Sequence, residues 1–521
     1  MKRLLTVFVI LMLVSSVMPI AAVGDAPFPT KDWAVSTPEE QGMDSVEIAN
    51  YIKTFSDPAY NFDSLLVVRH GYVVAEAYSA PVQKDIPHEM YSASKSVLSA
   101  VVGIAIDQGH IKSLDDKLLS YFPDITPAHM DERKAAITIR DTLKNCSGLE
   151  CNMYTNPEVD AVVMEGEPQK CLDIPMAYKP GEQWQYCQCN LFLLASVVAR
   201  TTGMDVLSYA NKYLFEPLGI KNAYWAPLGN AVMGFTGLRL TTRDMARIGY
   251  LYLKNGQWEG KQIISSQFVK DSISGLVTTP FAGTTYGYMW WTVDGMDAAL
   301  ALGYGGQYIM IVPSKDLVLV LTTGAHDMLR LMVHVTPFIM QGMQLKTEEA
   351  ALPANPEGVK QLKALETELA NPKAVPIKEL PAIASAINKQ NYAMVQPMAL
   401  VSHGFLDPAT SMKALSFTFE GADQFTLTLT KADDQLVNIA VGLDGLYRVS
   451  DYLTWQVAAK AEWLTPADLR IHIKYLGDAV LERIDMHFTA GTISGTVYQM
   501  AGPVGAWGDV SSFAAMLVVA Q

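Results

Sequence analysis

The chain has 521 residues, of which half are apolar and 18% are charged, so it can bury a sizeable core and extended disorder is excluded. Acidic residues outnumber basic ones by 53 to 39, which gives a net charge of −14. Because a polyphosphate backbone attracts positively charged surfaces, this balance argues against nucleic-acid binding.

The first 24 residues are predicted to form a secretory signal peptide. Lys2 and Arg3 provide a positive start, and an uncharged apolar run follows at residues 4–14. The small residues at 22–24 suit a signal peptidase. An uncleaved membrane anchor is the alternative, because residues 4–23 carry no charge and are just long enough to span a bilayer. We therefore expect a secreted or extracytoplasmic protein, attached to a membrane only if this segment is retained.

The first regular elements are a hairpin and a helix. Residues 62–78 are predicted to form a β-hairpin, because two apolar runs flank His70 and Gly71, a two-residue turn of the glycine-containing type. Residues 92–108 are predicted to form a helix that ends before Gly109. This helix is apolar on most faces and should therefore be buried.

All five cysteines fall in the stretch that follows: Cys146, Cys151, Cys171, Cys187 and Cys189. Export is compatible with disulfide bonds, and an odd count leaves at least one thiol unpaired. Two bridges would pin the loops of one region of the fold. A thiolate zinc site is the weaker alternative, since the chain has no CxxC pair and no HExxH helix.

Further helices are predicted at 191–200 and 245–253, the second of which opens on a capping-box-like sequence at 241–244. Strands are predicted at 307–312 and 317–323, separated by a turn cluster. Strands therefore enclose a long helical middle. This order indicates an α/β (α+β) fold in which the early and late strands share one sheet.

The last third of the chain changes character twice. Residues 350–399 contain repeated prolines and short helical stretches, and are predicted to be a linker that packs loosely on its neighbours. From residue 400 to 521, seven short segments alternate between apolar and polar residues. This pattern predicts a small all-β barrel or sandwich domain.

Ser92 and Lys95 form the only Ser-x-x-Lys sequence, and the chain has no G-x-S-x-G nucleophile elbow. Three residues along a helix place both side chains on the same side. Burial would drive Lys95 toward a neutral amine, which can take the proton of the Ser92 hydroxyl. The alternative is an ordinary helix start, with Lys95 extending to water, and the tetrapeptide alone favours it.

The sequence around Ser92 does not stand alone. It lies in YSASKSVLSAVVGIAIDQGHIKSLDDKL, and further matches follow in order over residues 33–345: STPEEQGMDS, LLVVRHGYVVAE, PGEQWQY, GLRLTTRDMARIGYLYL, YGYMWW and GYGGQYIMIVPSKDLVLV. Together these resemble the serine β-lactamase and penicillin-recognising superfamily. The closest resemblance is to its esterase and amidase branch, which is related to class C β-lactamases and 6-aminohexanoate-dimer hydrolase. The resemblance implies a catalytic domain at 25–349, with an antiparallel sheet flanked by helices and a helical subdomain.

In this family a tyrosine supplies the second motif, after Pro-Gly and before a Leu-Leu helix. Here Pro180-Gly181 precede Tyr186 and Leu193-Leu194 follow, so the resemblance identifies Tyr186. A charged Lys95 beside Tyr186 would favour the phenolate, which could relay the Ser92 proton to the leaving group. Either Lys95 or Tyr186 is then the acylation base. The alternative for Tyr186 is an aromatic core residue with a satisfied hydroxyl.

The residues after Tyr186 depart from the family pattern. Many relatives have Ser and then Asn at the two following positions, whereas this chain has Cys187 and Gln188. Either Gln188 or Asn190 would supply the missing amide. Cys187 is either a redox-active group beside the base or one end of a structural disulfide. The loops that the family folds around the site imply Cys151 as its partner.

The third motif departs as well, because Lys-Thr-Gly is absent and the matching strand leads into Gly303, Tyr304 and Gly305. The glycines would let the backbone approach the substrate closely. By resemblance, the backbone N–H groups of Ser92 and Tyr304 form the oxyanion hole. The missing lysine would have bound a substrate carboxylate, so its loss argues for neutral esters or amides. The neighbouring Trp290-Trp291 pair either lines the pocket or packs in the core.

The sequence therefore predicts an exported serine hydrolase that cleaves a small-molecule or peptide-like ester or amide through an acyl-enzyme on Ser92. No cofactor or metal is expected, and the oligomeric state is left open. A penicillin-recognising D-peptidase and a non-catalytic sensor on the same fold are the alternatives. The segment after residue 400 resembles the accessory, sometimes lipocalin-like, barrel of some relatives, with shielding, assembly, ligand binding or stability alone as open roles.

Overall fold

The computed structural model describes residues 26–55, 57–325, 351–377, 379–400, 410–452, 455–489, 491–500 and 507–518. The predicted signal peptide at 1–24 lies outside the described residues. Within them no single helix is long and apolar enough to cross a membrane, although one sharply bent pair, Gln188–Thr202 with Val206–Leu218, passes the same test of length and composition.

Twenty-six strands are described. Those before residue 326 are β1 (Ala34–Val35), β2 (Phe62–Arg69), β3 (Tyr72–Tyr78), β4 (His88–Glu89), β5 (Tyr224–Trp225), β6 (Pro227–Leu228), β7 (Ala231–Val232), β8 (Leu238–Leu240), β9 (Gln257–Trp258), β10 (Lys261–Gln262), β11 (Val277–Thr278), β12 (Thr284–Tyr286), β13 (Trp291–Val293), β14 (Ala299–Gly303), β15 (Gln307–Val312) and β16 (Leu317–Thr323). The later strands are β17 (Asn391–Leu400), β18 (Thr410–Phe419), β19 (Gln424–Lys431), β20 (Leu436–Gly442), β21 (Arg448–Tyr452), β22 (Trp455–Thr465), β23 (Asp468–Tyr475), β24 (Leu481–Thr489), β25 (Thr492–Met500) and β26 (Trp507–Leu517).

The helices of the described residues fall mostly between β3 and β11. They are α1 (Ser45–Thr54), α2 (Ser94–Asp107), α3 (Glu132–Ala136), α4 (Ile139–Leu143), α5 (Val159–Met164), α6 (Pro168–Asp173), α7 (Gln188–Thr202), α8 (Val206–Ala210), α9 (Glu216–Leu218), α10 (Thr242–Leu253), α11 (Ser266–Ser272), α12 (Pro356–Ala370) and α13 (Ala382–Ile387).

One sheet of nine strands contains strands from both the beginning and the end of residues 26–325. Its order is β1-β3-β2-β16-β15-β14-β13-β12-β11, and every pairing is antiparallel except that of β1 with β3. The hairpin β2–β3 and the pair β15–β16 are the strands that the sequence predicts, and β16 pairs with β2. The prediction that early and late strands share one sheet is confirmed.

The central sheet is covered on both faces. Successive residues of β2 point alternately into two cores: Leu66 and Val68 pack with α2 and α10, whereas Leu65 and Val67 pack with α1. This alternation follows from the period of two along a strand, and a run buried on both sides reads as continuously apolar. Helices therefore flank an antiparallel sheet, as the resemblance implied.

The segment predicted as a loose linker carries a well-packed helix. In α12 the side chain of Leu362 is fully buried in the same core as α1, and Leu365 and Leu369 pack beside it. The expectation of loose packing is wrong for this helix, because its apolar side chains recur at helical spacing. The first strand of the following sheet, β17, also begins inside the predicted linker, at Asn391.

The C-terminal part is a closed barrel and not a sandwich. Its strands follow the order β20-β19-β18-β17-β26-β25-β24-β23-β22-β21, and a parallel pairing of β20 with β22 closes the ring. Nine strands form the closed barrel and β21 extends the edge of β22. Alternate residues such as Leu469 and Ile471 fill the interior, while Arg470 and His472 face outward.

Gly249 allows α10 to lie directly on the central sheet. A Cβ at this position would be 2.7 Å from Val318 Cγ1 and 2.9 Å from Ile309 Cγ2. We therefore expect Gly249→Val to lower the free energy of unfolding by about 3 kcal/mol through overpacking. Ala364→Val, on the exposed face of α12, is the matched control and should cost only a few tenths of a kcal/mol. Urea unfolding of both variants measures the difference, and equal stabilities would contradict it.

Candidate active site

Ser92 and Lys95 lie at the start of α2, as the sequence predicts. Ser92 belongs to the 3-10 turn Tyr91–Ala93, and Lys95 belongs to the first turn of the helix that continues from it. The Lys95 Nζ lies 2.8 Å from Ser92 Oγ. Because Lys95 is only 1% exposed, the alternative in which its side chain extends to water is wrong.

Burial controls the protonation of Lys95. Its Nζ donates a hydrogen bond to the carbonyl oxygen of Phe235 at 2.9 Å. Burial pushes the pKa of Lys95 well below its ordinary value, because the charged form loses its water, and the carboxylate of Asp160 opposes this shift. A neutral amine that donates one hydrogen to Phe235 keeps its lone pair for the hydroxyl of Ser92.

Tyr186 reaches this pair from a distant part of the chain. It lies in the extended segment before α7, and its hydroxyl is close enough to the Ser92 side chain for Ser92 to lower the pKa of Tyr186. The Lys95 Nζ lies 4.8 Å from the centre of the Tyr186 ring. Burial raises the pKa of Tyr186 far above its ordinary value, and the nearby side chain of Ser92 only partly offsets this. In the resting site, where Lys95 is driven toward its neutral form, the phenol of Tyr186 therefore keeps its proton.

Two disulfides hold the segment that leads into α7. Cys151 pairs with Cys187, as predicted, with 5.1 Å between their Cα atoms, and Cys171 pairs with Cys189 at 5.5 Å. With four cysteines paired, the zinc alternative is wrong. Cys146 is the remaining thiol; it is buried, and burial raises its pKa to about 11, which keeps it unreactive.

The third-motif region lies against the 3-10 turn that precedes α2. Strand β14 ends at Gly303, where a Cβ would overlap the carbonyl oxygen of Met90. The ring of Tyr304 meets the ring of Tyr91 edge-on, with 5.5 Å between centroids. Gly305 has a φ of +75°, a conformation that favours glycine. A glycine is thus required at 303 because β14 contacts the segment that leads into the 3-10 turn of Ser92. The sequence argument had assigned the glycines to close approach of the backbone to the substrate.

Gln188 and Asn190, the two candidates for the missing amide, are both buried in the first turn of α7. Asn190 Nδ2 donates to Asn145 Oδ1 at 3.0 Å, and Gln188 Nε2 lies 3.6 Å from the sulfur of Met153. Within the described residues neither amide forms a hydrogen bond with Ser92. The structure shows no hydrogen bond that joins either amide to Ser92, so the role of Gln188 and Asn190 stays a prediction.

Six aromatic side chains form a wall beside Lys95. Its members are Tyr154, Trp184, Tyr186, Phe281, Tyr286 and Trp291, each in ring contact with at least one other. Trp291 is half-buried in this wall, whereas Trp290 is fully buried against Tyr252 at 4.6 Å between ring centroids. Of the tryptophan pair that the sequence left open, Trp291 therefore belongs to the wall and Trp290 to the core.

Asp160, which no sequence argument singled out, faces the site from α5. Its carboxylate interacts with Lys95, and burial raises its own pKa. Asp160 Oδ1 is buried and has no hydrogen-bond partner among the described residues. No motif marks Asp160, because its approach to Lys95 depends on the packing of α5 against α7 and not on sequence spacing.

Among the residues that the structure describes, no histidine forms a hydrogen bond with Ser92 or Lys95. His88 is the histidine nearest to Ser92 in sequence, and both of its ring nitrogens are engaged. Nε2 lies 2.7 Å from Asp63 Oδ2, and Nδ1 lies 3.1 Å from the carbonyl oxygen of Glu89. His88 therefore has no free nitrogen to receive the Ser92 proton. Across the ranges that the structure describes, no group of His, Cys, Asp and Glu side chains is arranged to hold a metal ion.

Comparison with known proteins identifies the family. The model of the Beta-lactamase family matches residues 50–334, which is more than half of the chain. The chain belongs to the Beta-lactamase family. The resemblance noted from the motifs is confirmed.

The chain is similar to two curated proteins and one solved structure that differ in how much of the chain they match. The 6-aminohexanoate-dimer hydrolase of Paenarthrobacter ureafaciens is 26% identical over 285 residues, 50% of this chain and 71% of that protein. A Salmonella agona protein named provisionally as a D-alanyl-D-alanine carboxypeptidase is 22% identical over 249 residues, 42% of this chain and 57% of that protein. The solved octameric penicillin-binding protein homologue from Pyrococcus abyssi is 14% identical, with a TM-score of 0.47, covering 90% of this chain and 99% of that one.

Glu89 supports the 3-10 turn that contains Ser92 in this β-lactamase-family protein. Its Oε1 accepts hydrogen bonds from the backbone N–H groups of Tyr91 at 3.0 Å and Gly237 at 2.8 Å, and from the Thr236 hydroxyl at 3.1 Å. Burial, together with the nearby carboxylate of Asp478, raises the pKa of Glu89 to about 7. Glu89 is therefore largely protonated below neutral pH.

This raised pKa makes stability depend on pH. The unfolded chain releases the Glu89 proton near pH 4.5, whereas the folded protein holds it to about pH 7, so the free energy of unfolding falls as pH rises through this window. We expect Glu89→Gln to remove a fall on the order of 3 kcal/mol. The exposed Glu150→Gln is the control. Urea unfolding at pH 4.5 to 8 measures it, and parallel profiles for wild type and Glu89→Gln would contradict it.

The carboxylate of Asp160 should affect the pH at which the acylation rate of Ser92 rises. Its negative charge raises the pKa of Lys95, so Asp160→Asn should move the rise of the acylation rate with pH to lower pH, because Lys95 then loses its proton more easily. Glu158→Gln, at an exposed carboxylate two residues away, should leave the profile unchanged. Rates of covalent labelling of Ser92 measured between pH 4 and 9 test this, and a shift to higher pH would contradict it.

Proposed function

We propose that this protein is an exported serine hydrolase that cleaves ester or amide bonds through an acyl-enzyme on Ser92. The observation that carries the proposal is the cluster of three side chains: the Ser92 hydroxyl lies 2.8 Å from the Lys95 amine, and that amine lies 4.8 Å from the centre of the Tyr186 ring. The lowered pKa of Lys95 supports the proposal, because only a neutral amine can accept the proton of the attacking hydroxyl.

Acylation begins with attack of Ser92 Oγ on the substrate carbonyl carbon. Lys95, neutral at rest, takes the hydroxyl proton, and Tyr186, protonated at rest, gives its phenolic proton to the leaving group. The charge that develops on the carbonyl oxygen is met by the backbone N–H groups of Ser92 and Tyr304, a contribution of about 10²–10³ in rate per donor. The protonated Lys95 then stabilises the new phenolate beside it.

Deacylation returns both protons. Water attacks the acyl carbonyl and gives a proton to the Tyr186 phenolate, while Lys95 returns its proton to Ser92 Oγ as the ester bond breaks. The products are a carboxylic acid and the alcohol or amine, and all three side chains regain their resting state. The raised pKa of Tyr186 suits this role, because the phenolate is then a strong enough base to activate water.

The surroundings of Ser92 favour neutral substrates with apolar parts. Tyr154, Phe281 and Tyr304 are largely exposed at the edge of the site, where they can pack against an apolar acyl or leaving group. The matching strand end carries no lysine that could bind a substrate carboxylate. The name of the Paenarthrobacter relative, a hydrolase of an aminohexanoate dimer, supports amides as a substrate class.

Export rests on two observations. The two disulfides are typical of proteins that fold outside the reducing cytosol. The charged start and the apolar run of the first 24 residues fit a signal peptide.

Covalent labelling tests the nucleophile. A fluorophosphonate probe should label the wild type, and Ser92→Ala should abolish the label. Lys95→Met should slow labelling by about 10²- to 10⁴-fold, because it removes the base while preserving the volume of the side chain. Lys112→Met, at an exposed position, is the matched control. Labelling of Ser92→Ala at the wild-type rate would contradict the proposal, because the reactive group would then be another residue.

A substrate panel then separates the hydrolase from a D-peptidase. Short-chain p-nitrophenyl esters and neutral amides should be cleaved in a Ser92-dependent manner, whereas D-alanyl peptides and fluorescent penicillin should react poorly, because no lysine is available to bind their carboxylate. Stoichiometric penicillin labelling on Ser92 would favour the D-peptidase, which the provisional name of the Salmonella relative suggests.

A further inference from the structure

The residue before the nucleophile has an unfavourable backbone conformation. Tyr91 has a φ of +47°, in the left-handed region that a bulky side chain rarely adopts. Such a conformation persists only where the surroundings enforce it, and it often occurs at functional sites. Since Tyr91 directly precedes Ser92, whatever holds Tyr91 also sets the direction of the Ser92 side chain and its backbone N–H group.

Two carboxyl groups hold Tyr91 at its two ends. Its backbone N–H donates to Glu89 Oε1 at 3.0 Å, and its phenolic hydroxyl donates to Asp478 Oδ1 at 2.7 Å. Asp478 belongs to the barrel, in the turn between β23 and β24, and is only 2% exposed. A side chain of the C-terminal part therefore bonds to the residue that adjoins the nucleophile, 387 positions earlier in the chain.

The whole turn between β23 and β24 packs against the segment around Tyr91. The carbonyl oxygen of Gly477 accepts a hydrogen bond from the backbone N–H of Glu89 at 2.8 Å. Gly477 packs so closely on the carbonyl oxygen of Pro87 that a Cβ would overlap it, and Gly305 of the third-motif region approaches Ala479 as closely. Within the turn, Asp478 Oδ1 also accepts the backbone N–H of Val480 at 3.1 Å, which fixes the carboxylate.

Tyr91 also links the two expected donors of the oxyanion hole. Its ring contacts the ring of Tyr304, whose backbone would supply the second N–H group. The Asp478 carboxylate, through one phenol, thus restrains both the Ser92 turn and the strand end at Tyr304. A displacement on the order of 1 Å in such a site can lower a rate by about 100-fold.

We propose that Asp478 of the barrel is a positioning residue for the serine hydrolase reaction, which holds Tyr91 and thereby aligns Ser92 and the oxyanion hole. This inference rests on the function proposed above. It gives the barrel a direct part in catalysis, in place of shielding or stability alone. Asp478 touches neither substrate nor reacting atoms, and it acts through the phenol of Tyr91.

The test measures the rate of fluorophosphonate labelling of Ser92 and the kcat and KM for a p-nitrophenyl ester, on the full chain. Asp478→Ala should lower the labelling rate and kcat by about 10- to 100-fold with little change in KM. Asp478→Asn, which keeps an acceptor oxygen for the phenol, should restore most of the rate. Asp485→Ala, which breaks an ion pair with Arg470 elsewhere on the barrel, is the control and should label at the wild-type rate.

A double-mutant cycle separates positioning from a general loss of stability. Tyr91→Phe removes the same hydrogen bond from the other side and keeps the ring contact with Tyr304, so it should reproduce the loss seen in Asp478→Ala. Combining Tyr91→Phe with Asp478→Ala should add nothing further, because both remove one interaction. If Asp478→Ala does not fold, Tyr91→Phe and Asp478→Asn still report on the bond.

The outcomes distinguish this inference from the proposed function. Wild-type labelling rates in both Asp478→Ala and Tyr91→Phe, or losses that multiply in the double variant, would overturn the inference and leave the serine hydrolase intact. Absence of Ser92 labelling in the wild type would overturn the proposed function, and with it the positioning role of Asp478.

Discussion

Lys95 brings an amine into the apolar core, and the rest of the candidate site is arranged around that group. The helix that carries it is buried along almost its whole length, so the charged form of the amine has little water to stabilise it. Its polar contacts are the Phe235 carbonyl oxygen and the Ser92 hydroxyl. The apolar packing that stabilises α2 thus also sets the protonation state that nucleophilic chemistry requires.

The second constraint is to bring a phenol to this pair from another part of the chain. Tyr186 must be held in an extended segment, and the disulfides at Cys187 and Cys189 restrain the residues that follow it. These cross-links reduce the conformational freedom of the loops around the site. The substitution of Cys and Gln for the common Ser and Asn after the tyrosine therefore has a structural reason at Cys187, whereas the amide of Gln188 is turned toward Met153.

Local patterns predicted much of the fold, and tertiary contacts account for what was missed. The strands β15 and β16 and the helices α2, α7 and α10 follow from periodicity and caps within a few residues. Short helical stretches were predicted around α12, but the prolines indicated loose packing, although Leu362 and its neighbours recur at helical spacing and are buried. At the site, Ser92 and Lys95 are joined by local spacing and Tyr186 by family resemblance. Asp160 has no such signal, because it approaches Lys95 only through helix packing.

The contribution of the barrel hairpin β23–β24 to the site also has no signal in the sequence. Lys474 on β23 forms an ion pair with the fully buried Asp63 of the central sheet, and Asp478 in the following turn holds Tyr91. Removing either partner of a buried polar pair leaves an uncompensated group, which costs several kcal/mol. The two contacts lie on one hairpin of the barrel, and they reach two different elements of residues 26–325. Sliding or rotating the barrel would therefore break at least one of them. Their burial therefore specifies a single orientation of the barrel, the one in which its turn reaches Tyr91, next to Ser92.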